Sequence, residues 1–227
     1  MSLASTGFGV RGRVSPRYPE DATAPGEPAP RRRPWHLWAA GVLLALAAWQ
    51  VGAATWIHAK AKLAQVLIAH SWQRSQQLQQ PVRPWPWADT HPVARLKLDR
   101  LGVDLYVLAG ASGRALAFGP GHVDGSAAPG KAGNTVMVGH RDTHFSFLRD
   151  VRPGDVLELA AENGRGARYV VVGSHVTGSD DTSVLEPSDH ARLTLVTCYP
   201  FDAVAAGTSE RFVVVAERQD AARRGSS

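Results

Sequence analysis

The chain has 227 residues, a formal net charge of +5 and a single cysteine. One cysteine excludes a scaffold stapled by internal disulfides. The basic balance, with an isoelectric point near 9.8, does not point to nucleic acid, because Lys and Arg are dispersed and the one dense run, Arg31 to Arg33, abuts an apolar segment.

Residues 1–34 are rich in Pro, Gly, Ser, Ala and Arg and poor in large apolar side chains. Such a segment cannot bury enough surface to fold, so a disordered tail is expected. Trp35 to Ile57 then runs for 23 residues without Asp, Glu, Lys or Arg. A helix of that length spans roughly 30 Å of hydrocarbon. Trp35, Trp38 and Trp56 fall near its two ends, where indole rings favour the membrane interface. One transmembrane helix is therefore expected. Within about 20 residues of its ends, the reach that sets orientation, four basic residues precede it (Arg17, Arg31 to Arg33) and three follow (Lys60, Lys62, Arg74), a slight bias toward a cytoplasmic amino terminus.

Residues 58–92 read as a helical stalk, with Ala64, Leu67, Ile68 and Leu78 set among Lys and Gln, followed by a linker rich in Pro and Trp. The stalk is expected to lift the following domain off the bilayer. Pro81 to Pro92 carries four prolines and is expected to be extended. Trp85 and Trp87 are expected to pack on the domain or lie at the lipid surface.

From residue 93 to 218, short β-rich runs alternate with Gly, Pro and Asn-Gly punctuation, the pattern of an all-β barrel or sandwich. Ala94 to Asp99 and Val103 to Leu108 read as a hairpin across Arg100 to Gly102, and Asp155 to Glu162 with Ala167 to Thr177 as another. Between them Ala117 to Val123 is irregular, Asn134 to Gly139 is a strand, and Phe145 to Val151 is a single helical turn. Leu193 to Cys198 and Arg211 to Ala216 complete a set of about eight strands, the number at which side chains just fill a closed barrel. Residues 219–227 are expected to be a disordered tail.

Cys198 ends one of these strands, ahead of Tyr199 and Pro200, so its thiol is presented at a sheet rim. It is either a small packed residue or a reactive thiol. At a pKa of about 8.5 a thiol is only a few per cent ionised at neutral pH, and an imidazole or guanidinium nearby raises its reactivity. His140 directly follows the strand Asn134 to Gly139, and Arg211 opens the last strand. If that strand runs antiparallel to the Cys198 strand, all three side chains converge on one rim.

The phrases T-L-V-T-C at 194–198, V-G-H at 138–140 and R-F-V-V-V-A at 211–216 resemble the sortases, membrane-anchored cysteine transpeptidases. G-H-R-D-T-H-F at 139–145 and T-C-Y-P-F at 197–201 are most similar to the class D-like group and its Gram-negative relatives. The resemblance implies an eight-stranded sortase barrel with short helices behind one amino-terminal membrane helix. It implies Cys198 as nucleophile, His140 as general acid and base, and Arg211 as the group that stabilises the oxyanion or substrate. It also implies a secreted protein substrate with a C-terminal sorting signal of the Leu-Pro-any-Thr-Gly type and an amine acceptor whose identity stays open. The chain is then expected in the cytoplasmic membrane, single-pass, amino terminus inside and catalytic domain outside. The loop Gly178 to His190 takes the place of the family's substrate loop, which makes Val184 and Leu185, with Thr197 beside the cysteine, the expected substrate contacts.

No cofactor is expected. His140 and His144 have the four-residue spacing of a zinc hydrolase, but that motif needs a helix and a Glu where Arg141 stands. Asp180 and Asp181 leave a calcium site possible, though two acidic residues are far short of a cage. His122, His175 and His190 read as structural or surface residues. A tethered barrel that only binds, or a cysteine peptidase that only hydrolyses, stands as the alternative to transpeptidation.

Overall fold

Alternation of apolar and polar residues closes this chain on itself. The computed structural model describes residues 35–203 and 207–219. The tail expected over 1–34, and the expected carboxyl-terminal tail beyond Gln219, lie outside the described residues. Contacts divide the chain between Trp49 and Gln50. In the first unit the described residues are helical, the opening part of α1 (Trp35–Leu78). Trp35–Ala53 is long and apolar enough to cross a membrane, and none of it is buried.

The second unit holds eight strands: β1 (Pro92–Leu98), β2 (Val103–Ala109), β3 (Gly121–His122), β4 (Asn134–Val138), β5 (Val156–Ala161), β6 (Gly166–Gly178), β7 (Arg192–Tyr199) and β8 (Glu210–Arg218). They bond in the closed order β1-β2-β3-β4-β7-β8-β6-β5, the eight-stranded barrel expected. β4 runs parallel to β7 and β2 parallel to β3, and the other neighbours are antiparallel. The β1–β2 connection is a 3-10 turn, Asp99–Leu101, stopped at Gly102, whose φ of 64° is the left-handed geometry a glycine supplies without strain. A second 3-10 turn, Ser146–Asp150, lies where one helical turn was expected.

Within β7, Leu193 and Leu195 point to the interior with Leu96, Met137, Tyr169 and Val214, all fully buried. Burying each such side chain stabilises the fold by about 1.5–3 kcal/mol. Val136, Val196 and Val213 form a second buried group, with Val123, Val138, Val184 and Val215 packed against it. Of these, Val136, Val138, Val196, Val213 and Val215 alternate with the interior positions of β4, β7 and β8, so they occupy the outer face of the same strands.

Two features differ from the sequence expectation. The stretch Ala117 to Val123, expected to be irregular, contains β3, and the helix α2 (Gly113–Leu116) precedes it. Two residues are too few to show alternation, yet β3 bridges β2 and β4 and closes the barrel. Part of the segment expected as a stalk also packs against the barrel. Ala64, Ile68, Ser71, Trp72 and Ser75 are buried, a stripe at helical three- and four-residue spacing. Trp72 meets Tyr106 at 6.1 Å between ring centroids, and Gln65 Nε2 donates to Phe118 O at 2.7 Å. In the linker Trp85 stands edge-on to Phe118 at 5.1 Å, while Trp87 is 82% exposed.

Candidate active site

Pair registers on either side of β7 assemble the site. On one side β7 and β8 are antiparallel with Cys198 opposite Arg211, the arrangement on which convergence depended. On the other side β4 and β7 are parallel with Val138 opposite Val196. The ladder continues one step further, Gly139 N donating to Val196 O at 3.2 Å. Two residues past the last register pair on each strand come His140 and Cys198. The structure thus brings Cys198, His140 and Arg211 to neighbouring positions at one end of three adjacent strands.

Alternation fixes the face. Cys198 continues the row of Val196, and Arg211 that of Val213, so both stand on the outer face where the valine group makes an apolar floor. Cys198 is partly exposed and His140 is exposed. Cys198 is therefore not sealed within the core.

The backbone around His140 is tightly specified. Gly139 is buried, and a Cβ there would lie 2.8 Å from Cγ of Phe145 and 3.0 and 3.1 Å from its Cδ atoms. Phe145 is itself fully buried, so the ring cannot yield. The chain turns back beneath His140, with Phe145 N donating to its carbonyl at 2.9 Å. The glycine and phenylalanine of G-H-R-D-T-H-F are thus two halves of one contact.

Thr197 is 2% exposed, and its Oγ1 donates to Gly139 O at 2.7 Å. Thr197 was expected as a substrate contact; its hydroxyl is engaged inside the protein, tying the residue before the cysteine to the residue before the histidine. Of the other two expected substrate contacts, Val184 packs onto the valine floor and Leu185 is 44% exposed. Both belong to the 3-10 turn Ser183–Leu185 in the β6–β7 loop.

Asn134, which sequence reasoning missed, holds that loop in place. It is buried, its Nδ2 donates to Val184 O at 2.9 Å and Glu186 O at 3.0 Å, and its Oδ1 accepts from Thr194 Oγ1 at 2.7 Å. An Asn opening a strand was the available signal, since a buried amide must find partners.

Arg211 Nη1 donates to Thr208 O at 2.7 Å and Glu210 O at 2.8 Å. With one nitrogen anchored on carbonyls, the remaining N–H donors of the planar group have a fixed direction. His144 is half-buried, and burial, reinforced by the nearby His140, holds its imidazole below the ordinary value, with Asp142 opposing. His140 and His144 lie on a turn and not a helix. Among the described residues no group of three or more His, Cys, Asp or Glu side chains is placed to hold a metal ion. The Asp181 carboxylate accepts from Thr177 Oγ1 and from Ser183 N, and these hydrogen bonds lower its pKa to about 2. His122 Nε2 lies 3.0 Å from Ala127 O and 3.1 Å from Ser126 Oγ, and His190 sits 3.2 Å from Glu217.

Comparison with known proteins covers the segment that carries this geometry. The sequence model of the Sortase domain matches residues 96–219, which contain the whole site. Sortase D of Bacillus subtilis (strain 168) is 31% identical over 124 residues, covering 54% of this chain and 62% of that protein, less than two thirds of its length. Among solved structures, a sortase D5 transpeptidase of Clostridium perfringens superposes with a TM-score of 0.57 at 20% identity, over 70% of this chain and 99% of that one. Sortase C-1 of Actinomyces oris gives 0.51 at 28% identity, over 57% and 73%. With its barrel, its strand order and its three rim residues inside the matched segment, the chain belongs to the sortase family.

Proposed function

We propose that this protein is a membrane-anchored cysteine transpeptidase that cleaves a C-terminal sorting signal of the Leu-Pro-any-Thr-Gly type and passes the acyl group to an amine. The observation that carries the reading is the pair of registers around β7, with Arg211 opposite Cys198 and the His140 loop in line on the other side. Family membership supports the reaction class.

The Cys198 thiolate attacks the carbonyl carbon of the scissile peptide, and the carbonyl electron pair moves to oxygen. Arg211, held by Thr208 and Glu210 carbonyls, supplies fixed N–H donors to that oxyanion or to the substrate backbone. As the intermediate collapses the C–N bond breaks, and protonated His140 gives its proton to the leaving amine. A thioester remains on Cys198. An acceptor amine then attacks it, His140 takes the amine's proton, the C–S bond breaks and a new peptide bond forms. Water in place of the amine would give hydrolysis. The valine floor beside Cys198, with Val184 and Leu185 at its edge, suits the apolar part of a Leu-Pro segment.

Trp35–Ala53 supports a single-pass anchor. On this reading the amino terminus is cytoplasmic and the barrel faces outward from the cytoplasmic membrane. The full chain in detergent is assayed on a quenched Leu-Pro-any-Thr-Gly peptide with and without an amine. Parent protein is expected to release the C-terminal fragment and, with amine present, to form the ligated product. Cys198→Ala is expected to do neither; cleavage by that variant at the parent rate would leave an anchored barrel with no thiol chemistry.

A further inference from the structure

Directly after His140 stands a guanidinium that the reaction does not use. Arg141 is 8% exposed, on a rim where its neighbours His140 and Asp142 face solvent. Arginine is almost never buried unless paired, because desolvating the charge is costly and apolar side chains fill such space more cheaply. Its partners indicate what the placement achieves. Arg141 Nη2 donates to Ala203 O at 2.7 Å and Nη1 to Thr208 Oγ1 at 3.2 Å. Ala203 and Thr208 stand at the two ends of the β7–β8 connection, one just beyond the Cys198 strand and the other just before the Arg211 strand. Thr208 then offers its carbonyl to Arg211 Nη1 at 2.7 Å.

We propose that Arg141 is a positioning residue, a buried clamp that ties Ala203 to Thr208 and, through Thr208, aims the Arg211 guanidinium relative to His140 and Cys198. The inference rests on the reading of those three as the reacting set. Three features carry it. The clamp starts one peptide bond from His140, so the histidine turn and the Arg211 anchor move as one body. It uses two nitrogens of a single planar fork to reach both ends of one connection, which a lysine ammonium cannot reproduce. It is buried, so it acts through Arg211 and does not itself touch substrate.

The consequence is specific: loosening the clamp misdirects Arg211 while the binding floor of valines stays intact. Slack of about 1 Å at a reacting group costs roughly 100-fold in turnover. Arg141→Met is therefore expected to lower kcat about 10- to 100-fold with KM little changed. Arg141→Lys is expected not to rescue it, and Thr208→Val, which removes only the hydroxyl acceptor, to give a smaller fall in the same direction.

The test uses the full chain in detergent and the quenched peptide, in a double-mutant cycle on Arg141→Met and Arg211→Lys. If Arg141 acts through Arg211, the Arg141→Met loss shrinks to within about 3-fold in the Arg211→Lys background. Equal losses in both backgrounds overturn the proposal, as does a lower Tm with kcat per folded molecule unchanged. Should Arg141→Met fail to fold, the same cycle with Thr208→Val decides on the same terms. Hydrogen exchange gives a readout independent of substrate: Arg141→Met is expected to speed exchange in peptides covering the β7–β8 connection but not in β1 or β5, and unchanged exchange there refutes the clamp. A parent protein that does not cleave the peptide counts against the proposed function and its substrate class, leaving the exchange result to judge Arg141.

Discussion

Replacing Thr197 by Val exchanges one hydroxyl for a methyl and leaves the strand otherwise intact. In the structure that hydroxyl donates to Gly139 O at 2.7 Å, and both residues are buried. Without it the Gly139 carbonyl loses this donor, a loss of about 1–3 kcal/mol for a buried group left unpaired. At roughly 4 °C per kcal/mol for a domain of this size, Tm should fall by about 4–12 °C. The same bond holds the residue before Cys198 to the residue before His140, so turnover should fall roughly 10-fold or more as the two strands gain slack. Thr197→Ser retains the donor and should recover most of both losses. The assays are thermal denaturation and peptide cleavage on the same preparations. A Tm within about 1 °C of the parent together with unchanged kcat would refute the claim that this hydroxyl couples the two strands.

Gly139→Ala places a methyl 2.8 Å from the buried Phe145 ring. The expected result is a loss of about 1–3 kcal/mol from overpacking and cleavage reduced at least 10-fold, with Gly139→Ala/Phe145→Leu recovering part of the stability in denaturant titration. Leu195→Ala removes a fully buried side chain from the barrel interior and should cost about 2–5 kcal/mol by the same measurement. Asp155 accepts from Arg100 Nε at 2.6 Å and Nη2 at 2.7 Å and from Arg152 N at 2.8 Å, and the Arg100 hydrogen bond leads in holding its carboxyl below the usual carboxylate range. A lowered folded-state pKa contributes stability that is complete above the unfolded value of about 3.9 and lost as pH falls through the folded one. The stability gap between parent and Asp155→Asn should therefore be constant near pH 7 and close below about pH 4; a gap that persists undiminished in acid would show that the pair does not work through ionisation.

Much of this architecture is legible in the residues because β-strands advertise themselves by alternation. Leu193 and Leu195 declare the inner face of β7, and Cys198 follows by parity. The short phrases around His140, Cys198 and Arg211 mark the candidate site because a thiol, an imidazole and a guanidinium each suit a distinct task in acyl transfer. What stays hidden is whatever depends on a partner far along the chain. Thr197, Asn134 and Arg141 are polar residues whose meaning lies in atoms dozens of positions away: Gly139 O, Val184 O, Ala203 O. Nothing local says whether a threonine beside a cysteine faces ligand or neighbour. β3 escapes notice because its two residues are held only by the strands on either side. The helix stripe Ile68, Trp72 and Ser75 is legible by spacing, but spacing alone does not reveal that the surface it covers belongs to this same chain.

Because the histidine and cysteine strands lie side by side and point the same way, a slip of a single residue between them would rotate every side chain of one strand to the opposite face. The thiol would then be turned inward and a leucine set out in water. A misaligned barrel would thus be unstable and would lose its rim arrangement, so on the proposed function any molecule able to turn over substrate has this long-range parallel pairing in register. On the proposed function, turnover would serve as a readout of strand alignment, sensitive where optical measures of β content are blind.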